Sequence, residues 1–244
     1  MGRVASPRVQ PLARRTTGEL VAEHVRRLIF TGTLRPGDRI PQAEVGEDLG
    51  VSRLPVREAV IELARDGLVT MEPHSGAFVA PFDPEVIRQH FEIVGLVQGI
   101  AAETLVEQPD PDALSRLRDL TDRIDAATAA GDGDAVHELT MEFLRVLNQV
   151  GGSVRQRAVL RALARMLPTG FFGEIDGAAE SERRGVHMIL EGIESGSRSK
   201  ARTACVEVQR AHAELLVEHL QDTGVFADPF PDLLTEPVTD ESGA

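Results

Sequence analysis

Arg53 and Arg57 stand four residues apart, so any helix that contains both carries them on one face. Ser52 precedes them where a helix cap is expected, and Pro55 is tolerated in the first turn that follows. Arginine grips guanine O6 and N7 with two hydrogen bonds. The free N–H groups and the serine hydroxyl at a helix start suit phosphate. Leu54, beside Arg53, can touch a thymine methyl but donates no hydrogen bond. Further on, His74-Ser75-Gly76 makes a small polar tip suited to insertion along a neighbouring groove. The chemistry these types offer is readout of double-stranded nucleic acid by Ser52, Arg53, Leu54, Arg57, His74 and Gly76. Two solvated arginines on an ordinary amphipathic helix would show the same spacing, so the surrounding elements decide.

Those elements read as a helix-turn-helix followed by a wing. Gly18 to Thr31 places Leu20, Val21, Val25, Leu28 and Ile29 at helical spacing, with Thr17 as cap. Gly32 and the turn Arg35-Pro36-Gly37-Asp38 end it. A short helix follows Pro41 with Val45 and Leu49 inward, and Gly50 stops it. A third helix starts at Ser52-Arg53 and turns Val56, Val60, Ile61, Leu63 and Ala64 to the core, closing at Asp66-Gly67. Leu68 to Met71 and Ala77 to Ala80 flank a turn and read as a β-hairpin. The winged unit covers 16–80. Beyond the linker Pro81 to Pro84, helices are expected near 84–107, 111–130, 132–150, 153–168, 178–196 and 198–222. Their short connections predict an antiparallel α-helical bundle over 81–226. The fold class is therefore mainly α. Residues 1–15 read as a flexible basic arm, with Arg8, Arg14 and Arg15 available to phosphate. Residues 227–244 read as a disordered acidic tail.

Composition narrows the setting. No apolar run in the 244 residues reaches the roughly 18 needed to span a bilayer, and no apolar segment follows the N-terminal arginines. The single Cys205 excludes an internal disulfide and a thiolate-built metal site, which fits a reducing cytoplasm. A net charge of −13 opposes nucleic-acid binding at first sight. Yet residues 1–80 hold 11 of the 26 basic and 10 of the 39 acidic residues, so the acidity belongs to the body and spares the head. There is no Gly-x-Ser-x-Gly elbow, His-Glu-x-x-His or P-loop. The carboxylates of Asp110-Pro111-Asp112 and Asp132-Gly133-Asp134 sit at helix starts, where capping accounts for them. No enzyme chemistry and no cofactor are expected.

The stretches Leu34-Arg35-Pro36-Gly37-Asp38-Arg39-Ile40, Leu49 to Ala59 and Leu63 to Val69 resemble the DNA-binding domain of GntR-family regulators, over residues 17 to 80. The helical remainder is similar to the FadR/FCD branch. The resemblance implies a homodimer on a pseudo-palindromic operator, repression relieved by a ligand, and DNA contacts at Ser52, Arg53, Arg57, His74 and Gly76. Leu54 departs from the small polar threonine usual there, which puts one operator base in question. Many FCD bundles hold a metal through an Asp and three His. Here those positions align with Thr140, Leu144, Val186 and Val208, and an arginine that anchors ligand carboxylates aligns with Val94. None is a strong ligand. The resemblance thus implies an effector pocket turned apolar, lined by Val94, Met141, Leu144, Val186, Leu190 and Val208 and taking an apolar or acyl-like molecule, with no metal. A filled, ligand-free core acting only in dimerisation is the alternative. His137, His187 and His212 lie close to these positions and could form a displaced metal site or be ordinary surface or core histidines.

Overall fold

The computed structural model describes residues 16–226. The basic arm at 1–15 and the acidic tail at 227–244 lie outside the described residues. The head runs α1 (Thr17–Phe30), α2 (Gln42–Asp48), α3 (Arg53–Arg65), β1 (Val69–Glu72) and β2 (Gly76–Val79). Thr16, not Thr17, caps α1. Its hydroxyl accepts the Glu19 N–H while Glu19 reaches back to the Thr16 N–H, a reciprocal pair that needs the acid three residues on. β1 and β2 pair antiparallel, Val69 opposite Val79 and Glu72 opposite Gly76.

Two inward assignments in the head shift. Leu49 is 38% exposed, because α2 ends at Asp48 and the chain turns there. In α3 the buried residues are Val56, Ala59, Val60 and Leu63, whereas Ile61 and Ala64 are half-buried. The face is narrower than the apolar pattern, since small Ala59 packs inward and the side chain at 61 leans to its edge.

The body continues with α4 (Pro84–Glu107), α5 (Pro111–Ala130), α6 (Gly133–Val150), α7 (Val154–Leu163), a 3-10 turn (Phe171–Glu174), α8 (Ala178–Glu194) and α9 (Arg198–Asp222). Asp83, Asp110 and Asp132 cap α4, α5 and α6 with their carboxylates, as the capping reading of the acidic pairs requires. The helix expected at 153–168 stops at Leu163. The Arg165 and Met166 amides bond three residues back, and Pro168 and left-handed Gly170 then prevent a helix from continuing. The helix expected at 178–196 ends at Glu194, before left-handed Gly196.

α4 and α9 lie along each other, with α8 on α9 and α5 on α6. One apolar cluster fills the bundle around Leu117, Ile124, Phe143, Leu147, Ile189 and Cys205. A second begins in the head with Val25, Ile29, Phe30 and Leu63 and crosses into the body at Ile87, Phe171, Phe172 and Leu216. The Phe30 ring meets Phe171 edge-on at 5.6 Å and stacks with Phe82 at 5.9 Å. Around these rings Arg27 holds Glu174 by two bonds of 2.9 Å, and Asp66 takes Arg26 at 2.8 Å and Arg165 at 3.2 Å. The 163–175 segment is thus the strap on which the head is seated.

Candidate nucleic-acid interface

α3 presents its first turn to solvent. Ser52, Arg53, Leu54 and Arg57 are all exposed, Leu54 at 63%. Ser52 takes the extended cap conformation, but its side chain makes no capping bond. The hydroxyl and the first N–H groups of α3 stay available to an oxygen outside the chain. Neither Arg53 nor Arg57 forms an ion pair among the described residues, whereas Arg26 and Arg27 in the same head are tied down. Free guanidiniums on an exposed helix start are what major-groove readout needs.

At the wing, His74 is exposed and holds φ of 65°, a left-handed conformation that β-branched residues resist. Gly76 has φ of 123°, and a β-carbon there would lie 3.0 Å from Arg39 Nε. Arg39, whose backbone bridges to Phe78, therefore runs its side chain along the wing. It is exposed and carries no ion pair among the described residues. Sequence reasoning missed it. The only signal was an arginine closing a turn, and the hairpin that brings it beside Gly76 lies far along the chain.

Inside the bundle the expected pocket residues divide. Val186, Leu190 and Val208 are buried in one apolar cluster, with half-buried Leu144 against it. Met141 is 40% exposed and Val94 half-buried, outside that cluster.

One turn toward the head lies a polar group the sequence did not assemble. His137 Nδ1 bonds Glu182 Oε1 at 2.7 Å, and Glu182 is only 1% exposed. His212 is buried with its ring 4.7 Å from Phe172. Among the described residues three buried atoms lack partners here and nearby: Glu182 Oε2, His212 Nε2 and Thr140 Oγ1. Unsatisfied buried polar atoms are costly. Glu182 raises the His137 pKa by its hydrogen bond, against burial. Burial lowers that of His212 to about 4. His187 is elsewhere, bonding Asp125 at 2.9 Å on the α5–α8 surface. Among the described residues no three His, Cys, Asp or Glu side chains converge to hold a metal. No described helix is long and apolar enough to cross a membrane.

Comparison with known proteins agrees with this geometry. Residues 17–79 match the bacterial regulatory proteins of the gntR family, and residues 89–211 match the FCD domain. An uncharacterised HTH-type transcriptional regulator of Mycobacterium tuberculosis is 30% identical over 209 residues, covering 86% of this chain and 84% of its own length. Among solved structures, Escherichia coli McbR/YncC superposes with a TM-score of 0.59 at 19% identity, over 84% of this chain and 99% of that one. A GntR transcriptional regulator from Rhodococcus sp. RHA1 gives 0.54 at 26% identity, over 82% and 97%.

Proposed function

The chain belongs to the GntR family of bacterial regulatory proteins and carries an FCD domain, and from that premise we propose that it is a ligand-responsive repressor acting in the cytoplasm. It is a transcriptional regulator and not an enzyme. A homodimer places one α3 in each half of a pseudo-palindromic operator. Arg53 and Arg57 read bases, Ser52 takes a phosphate, and His74, Gly76 and Arg39 follow the adjoining groove. The observation that carries this reading is the pair of arginines, free of ion pairs among the described residues, on the exposed start of α3.

The experiment is an electrophoretic shift on DNA upstream of its own gene. Arg57→Ala is expected to weaken operator binding by about 1–3 kcal/mol and to relax specificity at one position. Arg53→Ala is the matched case. An equal loss on random DNA makes the residue a phosphate contact, and no binding by the wild type removes the reading.

For the effector, the apolar wall of Leu144, Val186, Leu190 and Val208 adjoins the polar group at His137, Glu182 and His212. A β-carbon at Gly185 would lie 2.8 Å from Val208 Cγ1 and 3.7 Å from His212 Nε2, so wall and polar end meet there. The unpartnered Glu182 oxygen accepts and does not donate. The favoured ligand is therefore amphipathic, with an apolar body and a donating hydroxyl or amine, in place of an acyl carboxylate. A second reading, a filled core that only dimerises, is favoured by the burial of Val186, Leu190 and Val208. Thermal shifts with long-chain alcohols and amines, fatty acids, acyl-CoAs, and Ni²⁺ or Zn²⁺ separate these. A rise with metal alone sinks the amphipathic ligand, and no rise at all leaves the filled core. Such a ligand changes DNA affinity only by binding one arrangement of the heads better than another. The 3-10 turn offers the lever, with Phe172 on His212 and Phe171 on Phe30.

A further inference from the structure

We propose that Arg39 reads the width of the minor groove under the wing, so that the operator carries a narrow, A·T-rich step beside each major-groove half-site. The proposal rests on the reading of a DNA-binding regulator and deepens it, by naming the residue that senses DNA shape and the class of sequence it selects.

The hairpin has a third run of backbone along its free edge. The Gly37 N–H donates to the Val79 carbonyl at 3.0 Å, the Val79 N–H to the Asp38 carbonyl at 2.8 Å, and the Ile40 N–H to the Ala77 carbonyl at 2.8 Å. Arg39 therefore bridges antiparallel to Phe78, on the edge of β2 that β1 does not cover. Side chains alternate along an extended run. Ile40 is 3% exposed and enters the core of the head, which turns its neighbour Arg39 to solvent. Bonds on both sides hold the Arg39 backbone, so the fold aims the side chain and less freedom is lost on binding. Among the described residues neither Asp38 nor Glu72, which stands across the ladder from Gly76, forms an ion pair with Arg39. The Asp38 carboxylate instead accepts the Arg35 backbone N–H at 2.8 Å.

Gly76 is the second, independent observation. A β-carbon there would stand 3.0 Å from Arg39 Nε, 3.3 Å from Nη2 and 3.6 Å from Cζ. All three atoms belong to the guanidinium, so the charged end and not the stem lies over the wing. Gly76 holds φ of 123°, where other residues are strained, and the wing keeps a bare floor under that charge. The resemblance that gives Gly76 a DNA contact does not explain why the position is bare. The crossing arginine does.

A guanidinium on such a wing suits one feature of DNA. The narrow minor groove of A·T tracts concentrates negative potential and draws arginine in. A guanidinium is more weakly hydrated than an ammonium, so it enters where lysine does not. The groove floor separates A·T from G·C by the guanine 2-amino group and tells little else. α3 thus reads base edges in the major groove while the wing reads shape.

Footprinting on the upstream DNA locates the steps under the wing, and competition binding follows with those steps changed. Replacing A·T by G·C is expected to weaken wild-type binding about 10-fold, and inosine·cytosine pairs, which lack the 2-amino group, to restore it. Arg39→Ala is expected to lose about 10-fold on the A·T operator and to be indifferent to the G·C change, with unchanged circular dichroism. Arg39→Lys keeps the charge and is expected to retain a preference below about 3-fold. Gly76→Ala is expected to match Arg39→Ala, and the double variant to bind no more weakly than either. A footprint with no A·T-rich step under the wing, a wild type indifferent to the G·C change, or an Arg39→Ala variant that keeps the A·T preference overturns the proposal. Losses at Gly76 and Arg39 that add in full overturn the crossing of one by the other. A wild type that binds no upstream DNA sinks the regulator reading and this proposal together, whereas tight binding without a flank preference sinks this proposal alone.

Discussion

Acid is expected to weaken the helical domain most through His212, with buried His90 acting in the same direction. The His212 side chain is 7% exposed, and burial lowers its pKa from 6.5 to about 4 despite a bond to the Ser181 backbone. In the unfolded chain the same imidazole takes its proton near pH 6.5. Between those values the unfolded state holds a proton the folded state refuses, so stability falls as pH drops from 6.5 toward 4. At about 1.36 kcal/mol per pH unit, the loss reaches roughly 2.5 kcal/mol by pH 4.5. His137 acts in the opposite window. Glu182 raises its pKa, so its contribution is whole below 6.5 and fades only as pH rises through the raised value. It adds no slope in the acid range, although carboxylates do, and the variant comparison removes them. Urea unfolding of the wild type and His212→Gln at pH 6.5, 5.5 and 4.5 is the assay. The wild type is expected to lose about 2 kcal/mol more than the variant over that interval. Parallel losses in the two proteins would refute the burial argument.

Two further outcomes follow from packing. Arg26 is 4% exposed and holds Asp66 at 2.8 Å and Glu62 at 3.4 Å. Arg26→Met leaves the buried Asp66 carboxylate to half-exposed Arg165, with an expected cost of about 3 kcal/mol in urea unfolding; a loss below about 1 kcal/mol would mean water already serves the carboxylate. At Gly151 an added β-carbon overlaps the Ala101 carbonyl oxygen, though the backbone φ of −83° suits any residue. Gly151→Ala is expected to cost about 2–3 kcal/mol by steric displacement of α4, against about 1 kcal/mol for Gly131→Ala, where φ is 71° and the space is open. Equal losses at the two glycines would remove the close-approach argument.

Order and spacing made the head legible. Each element was marked by a cap, a glycine or a proline within a few residues of its end. Local signals of that kind survive in a single chain, as the position of α3 and the antiparallel wing show. Errors fell where two neighbours could serve the same role. Thr16 and Thr17 are both plausible caps, and only Thr16 stands three residues from Glu19. The strap at 163–175 was read as a helix as far as 168 and then as a break between helices, so its packing role was not seen. Met166, Phe171 and Phe172 are buried by contact with the head and α9, partners remote in sequence.

The interior of the bundle was legible in its absences and not in what replaced them. Aligned positions gave Thr140, Val186 and Val208, and the first of these is an unpartnered buried hydroxyl while the others are packed apolar residues. His137 stands three residues before Thr140, Glu182 four before Val186, and His212 four after Val208. α8 and α9 are joined by a short turn and run antiparallel, so four back on one and four forward on the other move the same way along the bundle. All three displacements lead to the end where Gly173 backs on His137 and Phe172 covers His212. Position-by-position comparison did not bring His137, Glu182 and His212 together, because each lies three or four residues from the aligned position. The faces of the folded helices do, and they place the group directly beneath the turn whose other phenylalanine holds α1 of the head.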